Sequence, residues 1–169
     1  MPADGALFDW RISVASIERP GPFSDFSGYA RTMVLLAGGG VRLSSSGAPD
    51  LLLRKPGDLI RFDGARAVQC DLLDGACRDL NLMVAKRLGE VDARVEAASH
   101  RPELRVGSRK TMVLFCVSGA VSLAWGGAQL AQLEQWDTAV ADADDGRIRV
   151  EPAASFAEAR VFIAEMPGP

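Results

Sequence analysis

The sequence predicts an all-β protein made of one module written twice. Short apolar runs rich in branched residues are separated by glycine, proline and aspartate turns. No segment carries the long 3.6-residue apolar period of an amphipathic helix. Thr111-Met112-Val113-Leu114 repeats Thr32-Met33-Val34-Leu35 at an offset of 79 residues. The same offset relates Gly40 to Gly119, Asp58 to Asp137, Asn81-Leu82-Met83-Val84 to Arg160-Val161-Phe162-Ile163, and Ile12 and Val14 to Val91 and Ala93. One shared tetrapeptide could be chance, but several blocks in one register predict a duplication. The halves then run 1–88 and 89–169.

In chain order, Trp10 to Ile17 alternates as a strand, with Trp10, Ile12 and Val14 on one face. Arg19-Pro20-Gly21-Pro22 ends it, since proline fixes the backbone and removes a donor. Phe23 to Tyr29 is a loop with three aromatic residues that need a surface to pack on. Arg31 to Leu43 reads as strand, glycine turn and strand. Ser44 to Asp50 is a polar turn before a short strand at Leu51 to Leu53. Lys55-Pro56-Gly57-Asp58 turns the chain into a strand from Leu59 to Phe62. Strands at Ala67–Leu73 and Leu80–Val84 flank the Asp74-Gly75 turn. Glu90 to Ala97 has residues that favour helices, but its strict period of two and its place in the repeat favour a strand. The second copy follows at Thr111–Val117, Ala120–Trp125, Thr138–Ala141, Ile148–Val150 and Ala159–Glu165. Many short strands at turn-marked spacing mean an all-β barrel or sandwich.

The bulk properties narrow the function classes. The chain has 169 residues, a hydrophobic fraction of 48% and a formal net charge of −3. It can bury a core, and without a Lys/Arg stripe no nucleic-acid partner is expected. No apolar run approaches the roughly 20 residues that span a bilayer, and no charged-then-apolar leader opens the chain. Three cysteines without Cys-x-x-Cys spacing fit reduced thiols in a cytoplasmic protein. No membrane partner is expected, and a homodimer is left open.

A duplicated barrel of this size, with a Pro-Gly-Asp turn midway through its first half, is similar to the cupins, each half being a small jelly roll packed against the other. Four blocks narrow the resemblance: Trp10-Arg11-Ile12-Ser13; Gly21-Pro22-Phe23-Ser24 with Gly28 and Arg31; Phe62-Asp63-Gly64; and Asp79-Leu80-Asn81-Leu82-Met83. Together they resemble the HutD/Ves family, most strongly from Trp10 to Met83, with Asp137-Thr138 as a weaker echo. The resemblance implies a two-cupin fold, a bacterial cytoplasmic setting, an association with histidine utilisation and a regulatory, ligand-binding role. Ser27, where the family commonly has proline, and Leu80, where it commonly has phenylalanine, depart from its pattern.

Catalytic cupins hold a metal with two or three histidines and a carboxylate. This chain has a single histidine, His100, beside Arg101-Pro102 in an expected surface loop. No metal and no other cofactor are therefore expected. Asp142, Asp144 and Asp145 do not continue into a calcium loop, and Gly38-Gly39-Gly40 lacks the helix start of a phosphate loop. Asp79, Asn81 and Met83 share one strand face and Leu80, Leu82 and Val84 the other. Spacing leaves open whether the polar face lines a pocket, meets solvent or forms a structural network; the resemblance favours a pocket. Arg31 shares a face with Met33 and Leu35 and so needs a carboxylate, either Asp79 or a ligand's. Ser24 lacks the surroundings of a nucleophile, and Cys70 reads as a small buried hydrophobe.

The expected function is metal-free binding of a small carboxylated metabolite by the N-terminal half, sensing or limiting flux through a pathway. Arg31 would grip the carboxylate, and Asn81 and Ser24 would offer neutral hydrogen bonds. Asp79 would hold Arg31 or a ligand amide, while Phe23 and Met83 close the apolar wall. Given the pathway that the resemblance implies, the ligand would be formylglutamate or urocanate. The rival is a metal-independent isomerase or hydrolase with Asp79 as general base. Binding without turnover is the favoured reading.

Overall fold

The computed structural model describes residues 8–100, 103–143, 146–154 and 158–167. It consists of two compact units, Met1–Glu90 and Val91–Pro169. The first contains β1 (Trp10–Ile17), β2 (Gly21–Pro22), β3 (Tyr29–Ala37), β4 (Val41–Ser45), β5 (Ala48–Leu53), β6 (Leu59–Asp63), β7 (Gln69–Leu72) and β8 (Cys77–Ala85). The second contains β9 (Asp92–Ala97), β10 (Glu103–Val106), β11 (Lys110–Ser118), β12 (Val121–Trp125), β13 (Ala128–Leu133), β14 (Thr138–Ala143), β15 (Gly146–Pro152) and β16 (Arg160–Pro167). Among the described residues the one helical turn is a 3₁₀ turn at Lys86–Leu88.

Each unit is a pair of four-stranded antiparallel sheets. The first has the orders β1-β8-β3-β6 and β2-β7-β4-β5; the second has β9-β16-β11-β14 and β10-β15-β12-β13. Strand by strand, the orders coincide. This is the doubled jelly roll expected from the alternation, and the two Thr-Met-Val-Leu segments do occupy equivalent strands, β3 and β11.

The repeat register of 79 residues, however, does not hold along the whole module. Leu35 donates its N–H to Asp58 O and accepts from Gly57 N–H; Cys116 makes the same two bonds with Asp137 and Trp136. Asp58 and Asp137 are 79 apart, as the sequence suggests, but Leu35 and Cys116 are 81 apart. Thr32 therefore corresponds to Val113 and not to Thr111. Likewise Gly40 O accepts from Leu73 N–H as Ala120 O accepts from Ala153 N–H, so Ala120, not Gly119, is the counterpart of Gly40. Loops that differ by a residue or two shift the register between strands. A slip of two preserves which face each side chain takes, so the identical tetrapeptide still marked the correct strand.

Other differences from the sequence expectation are local. Gly21–Pro22 pairs with β7 as a short edge strand, a place where proline is tolerated. β4 and β5 extend into the expected polar turn. β10 and β13 have no clean expected counterpart: β10 is four residues long, and the polar face of β13 hides its period.

Inside the first unit, Met33, Leu35, Val41, Leu43, Leu53, Phe62, Val68, Cys70 and Cys77 form one apolar cluster. The second unit has a larger one, which includes Met112, Leu114, Cys116, Val121, Leu123, Val150, Val161 and Ile163. The three cysteines are free and buried. His100 is exposed, as expected.

Candidate functional site

The first unit carries an open cavity of about 400 Å³. It is lined by the end of β1, by Gly21, Pro22, Phe23, Ser24 and Phe26 of the following segment, and by Arg31, Cys70, Asp79 and Asn81. Period-two alternation places the polar residues there. In the β3–β8 ladder Met33 stands opposite Asn81 and Leu35 opposite Asp79. On the other side of β8, β1 sets Ser13 opposite Asn81 and Ala15 opposite Asp79. These small neighbours leave room that bulky ones would fill.

The three polar side chains are deeply buried: Arg31 is 6% exposed, Asn81 7% and Asp79 1%. Arg31 Nη2 donates to Asn81 Oδ1 at 2.8 Å, and Asn81 Nδ2 donates to Asp79 Oδ2. Arg31 Nη1 reaches the backbone oxygen of Ser24 at 3.4 Å. The amide thus stands between guanidinium and carboxylate, its two ends oriented by opposite charges. Arg31 Nε and Asp79 Oδ1 have no hydrogen-bond partner.

Three aromatic rings surround the guanidinium. Its Cζ lies 4.9 Å from the Phe62 ring centroid, 5.0 Å from Phe23 and 5.4 Å from Phe26. Phe62 is the cross-strand neighbour of Arg31 on β6. Phe23 and Phe26 return to the site because Phe23 N–H bonds Val68 O and Phe26 N–H bonds Gly64 O, both at 2.9 Å. Such cation–π contacts contribute about 2 kcal/mol when desolvated. The Phe62-Asp63-Gly64 block now has a physical account. Phe62 covers Arg31, and Asp63 bonds Lys86 at 2.6 Å and the Ala65 N–H at 2.9 Å. A Cβ at Gly64 would overlap the Phe26 carbonyl and lie 2.8 Å from the Tyr29 oxygen.

Burial dominates the protonation equilibria. It pushes the Asp79 carboxyl up to about 6, although Arg31 and the Asn81 amide pull the other way. It also lowers the Arg31 guanidinium from its ordinary value, opposed by Asp79. The Cys70 thiol is pushed up to about 11 by burial first and by Asp79 next, so it is no nucleophile near neutrality. Among the described residues no three His, Cys, Asp or Glu side chains cluster as metal ligands.

Of the residues singled out from the sequence, Arg31, Asn81, Asp79, Phe23 and Ser24 meet at this cavity. Ser24 contributes its backbone oxygen to Arg31. Asp79 reaches Arg31 through Asn81, and both ends of the Asn81 amide are engaged within the protein. Met83 does not line the cavity; it packs with Tyr29 and Ala85 against Phe8, Phe26 and Leu88. Neither Ser27 nor Leu80 is a lining residue: Ser27 bonds Asp25 Oδ1 at 2.8 Å, and Leu80 is buried on the opposite face of β8. Phe26, Phe62, Cys70, Glu18 and Arg19 were not foreseen here. The β3–β6 register would have found Phe62; the others depend on how loops return.

The doubled jelly roll is the fold of a two-cupin protein, and its first barrel opens to solvent through a pocket with a charged floor. More narrowly, the chain belongs to the HutD family, whose model matches residues 1–157. It is 35% identical over 149 residues to an uncharacterised 21.2 kDa protein in the hutC 3′ region of Pseudomonas putida, covering 88% of this chain and 76% of that one. It is 38% identical over 117 residues to protein Ves of Citrobacter koseri, covering 69% of this chain and 59% of the relative. Among solved structures, a conserved protein of unknown function from Pseudomonas aeruginosa superposes with a TM-score of 0.84 at 32% identity, over 98% of this chain and 84% of that one. HutD from Pseudomonas fluorescens superposes at 0.73 with 26% identity, over 95% and 81% of the two chains. The family is associated with histidine utilisation. No helix among the described residues is long and apolar enough to cross a membrane.

Proposed function

We propose that the first unit binds a small carboxylated intermediate of histidine breakdown, formylglutamate or urocanate, without a metal, and that occupancy rather than turnover is its output, sensing or limiting pathway flux. The observation that carries this reading is Arg31. It is a buried guanidinium, ringed by three phenylalanines, whose hydrogen bonds go to an amide and a backbone oxygen and not to a carboxylate. A desolvated guanidinium presents a fork that a carboxylate fits bidentately. The cavity volume falls within the range of small-molecule sites, and the aromatic wall suits the carbon skeleton of such a ligand. A cationic guanidinium in the cavity also disfavours a metal ion there.

Thermal melts test this. Formylglutamate or urocanate at millimolar concentration is expected to raise the melting temperature. Arg31→Ala is expected to abolish the shift, and Arg31→Lys to retain part of it, because a point charge remains but the fork is lost. A shift that survives Arg31→Ala undiminished refutes the site.

One observation favours a second reading. Asp79, pushed up to about 6 and with Oδ1 unpartnered, has the poise of a general base. If so, the same compounds are converted, not merely bound, and proton NMR of an overnight mixture shows product. Unchanged spectra exclude turnover of those compounds.

A further inference from the structure

The buried cluster holds one cation and one anion joined by one amide, and that arithmetic limits what an incoming anion can do. This inference rests on the carboxylate-binding reading above. Arg31 and Asp79 balance each other across Asn81. A carboxylate seated on Arg31 adds a second negative charge beside this buried cluster, where two like charges resist being ionised together.

The strands that flank Asp79 offer no second cation beside it. From β1 it faces Ala15, with Ser13 next to it; from β3 it faces Leu35, then Met33 and Arg31. Across the cavity on β7 stands Cys70, whose thiol stays protonated near neutrality. Glu18 and Arg19 line the rim, where both are exposed and their charges are screened by solvent. With Arg19 out at the solvent-screened rim, a proton from solvent is the positive charge that reaches Asp79 itself, and the structure has a place for it. Asp79 Oδ2 accepts from Asn81, while Oδ1 has no partner, so a proton can settle on Oδ1 without displacing the amide that orients Arg31.

We propose that a carboxylate enters this cavity together with one proton drawn from solvent, which binds Asp79 Oδ1. Asn81 is then a positioning residue that couples the two events and not a ligand contact. Burial has already raised the Asp79 carboxyl to about 6, so the proton is within reach near neutral pH. The sign follows from linkage. Below pH 6 Asp79 is protonated with or without ligand, and affinity is flat. Above pH 6 the free protein must take up a proton to bind, so Kd rises with a slope that approaches tenfold per pH unit until the pKa of the bound form is passed.

The test uses the full chain and formylglutamate, whose own carboxylates do not titrate between pH 5.5 and 8. Kd is expected to rise about fivefold from pH 6 to pH 7 and to approach tenfold from pH 7 to pH 8. Calorimetry at pH 7 in two buffers of different ionisation enthalpy is expected to show uptake of close to one proton. Asp79→Asn, a permanently uncharged isostere, is expected to remove both the pH dependence and the uptake, fixing Kd at the low value seen near pH 5.5. Asn81→Ala is expected to reduce proton uptake along with affinity. Tight binding with a flat pH profile and no uptake overturns the coupling but leaves carboxylate binding standing. No binding of formylglutamate or of propionate at any pH in this range overturns both. The buffer comparison needs only the natural protein, so the answer does not depend on a variant folding.

Discussion

The two units have the same strand order and nearly the same backbone bonds, yet three equivalent interior positions are polar in the first and apolar in the second. Because Leu35 and Cys116 are equivalent, the ladders carry the correspondence onward: Arg31 corresponds to Met112, Asp79 to Val161 and Asn81 to Ile163. In the second unit all three join the apolar core. Jelly-roll packing therefore does not require the polar trio, and a hydrophobic solution is present in the same chain. Buried charge generally costs more than its pairing returns, and apolar replacement is often neutral or stabilising. A cluster kept against that cost, beside a cavity, points to binding and not to folding.

The largest expected effect comes from moving charge into the unit that has Met112 where the first has Arg31. Val161→Asp buries a carboxylate among Met112, Ile163 and Leu114 and beside its cross-strand neighbour Glu96, to which the Arg94 guanidinium is already committed, and should cost about 3–5 kcal/mol. Urea unfolding reads it directly. A loss below about 1 kcal/mol would mean that the second interior is wetter than its apolar lining implies.

The first unit gives the converse. Burial raises the Asp79 carboxyl from 3.8 to about 6. The folded state therefore holds this proton more tightly than the unfolded chain does. The associated stability is fully present below pH 4 and is lost as pH rises through 6. Above that, the ionised carboxylate leaves the fold about 3 kcal/mol less stable than a neutral side chain would. Asp79→Asn should thus stabilise the protein at pH 8 by up to about that amount, with the gain vanishing near pH 4. Melts at the two pH values check the sign. A destabilised variant at pH 8 would show that the pairing through Asn81 outweighs desolvation.

A smaller effect compares the equivalent turns. Gly38 and Gly119 both have left-handed backbone, with φ 99° and 76°. An added Cβ at Gly38 overlaps the Ala76 carbonyl and lies 2.7 Å from Cys77 Sγ, whereas at Gly119 the nearest atom is Glu158 O at 3.0 Å. Gly119→Ala should cost about 1–2 kcal/mol from the backbone alone, and Gly38→Ala distinctly more. Equal losses would put the whole penalty in φ.

Much of this was legible because alternation is written residue by residue. β1, β3, β6, β8 and β11 follow from it, as does the inward placing of Arg31, Asp79 and Asn81. The repeat register was not legible. Thr32–Leu35 and Thr111–Leu114 are spelled alike but stand two residues out of step, and only the bonds of Leu35 and Cys116 reveal it. Met83 had the right parity for the cavity, but Tyr29, Phe8 and Phe26 pack around it further along the strand, a closure that parity does not encode. The aromatic ring around Arg31 stayed hidden for a related reason. Phe62 arrives through a cross-strand pairing, and Phe26 through a loop tied to Gly64, and neither is a local property of sequence.

The central claim is that the cavity around Arg31 binds a carboxylate that the second unit, with Met112 in its place, cannot. Grafting the second interior onto the first, Arg31→Met with Asp79→Val and Asn81→Ile, tests it in a single thermal-melt experiment with and without formylglutamate. Ligand at 100 times its Kd should stabilise the natural protein by about 2.7 kcal/mol, a rise on the order of 5–10 °C at this chain length. The triple variant should melt at or above the ligand-free natural protein and show no ligand shift. A triple variant that folds and keeps the full shift would contradict the account.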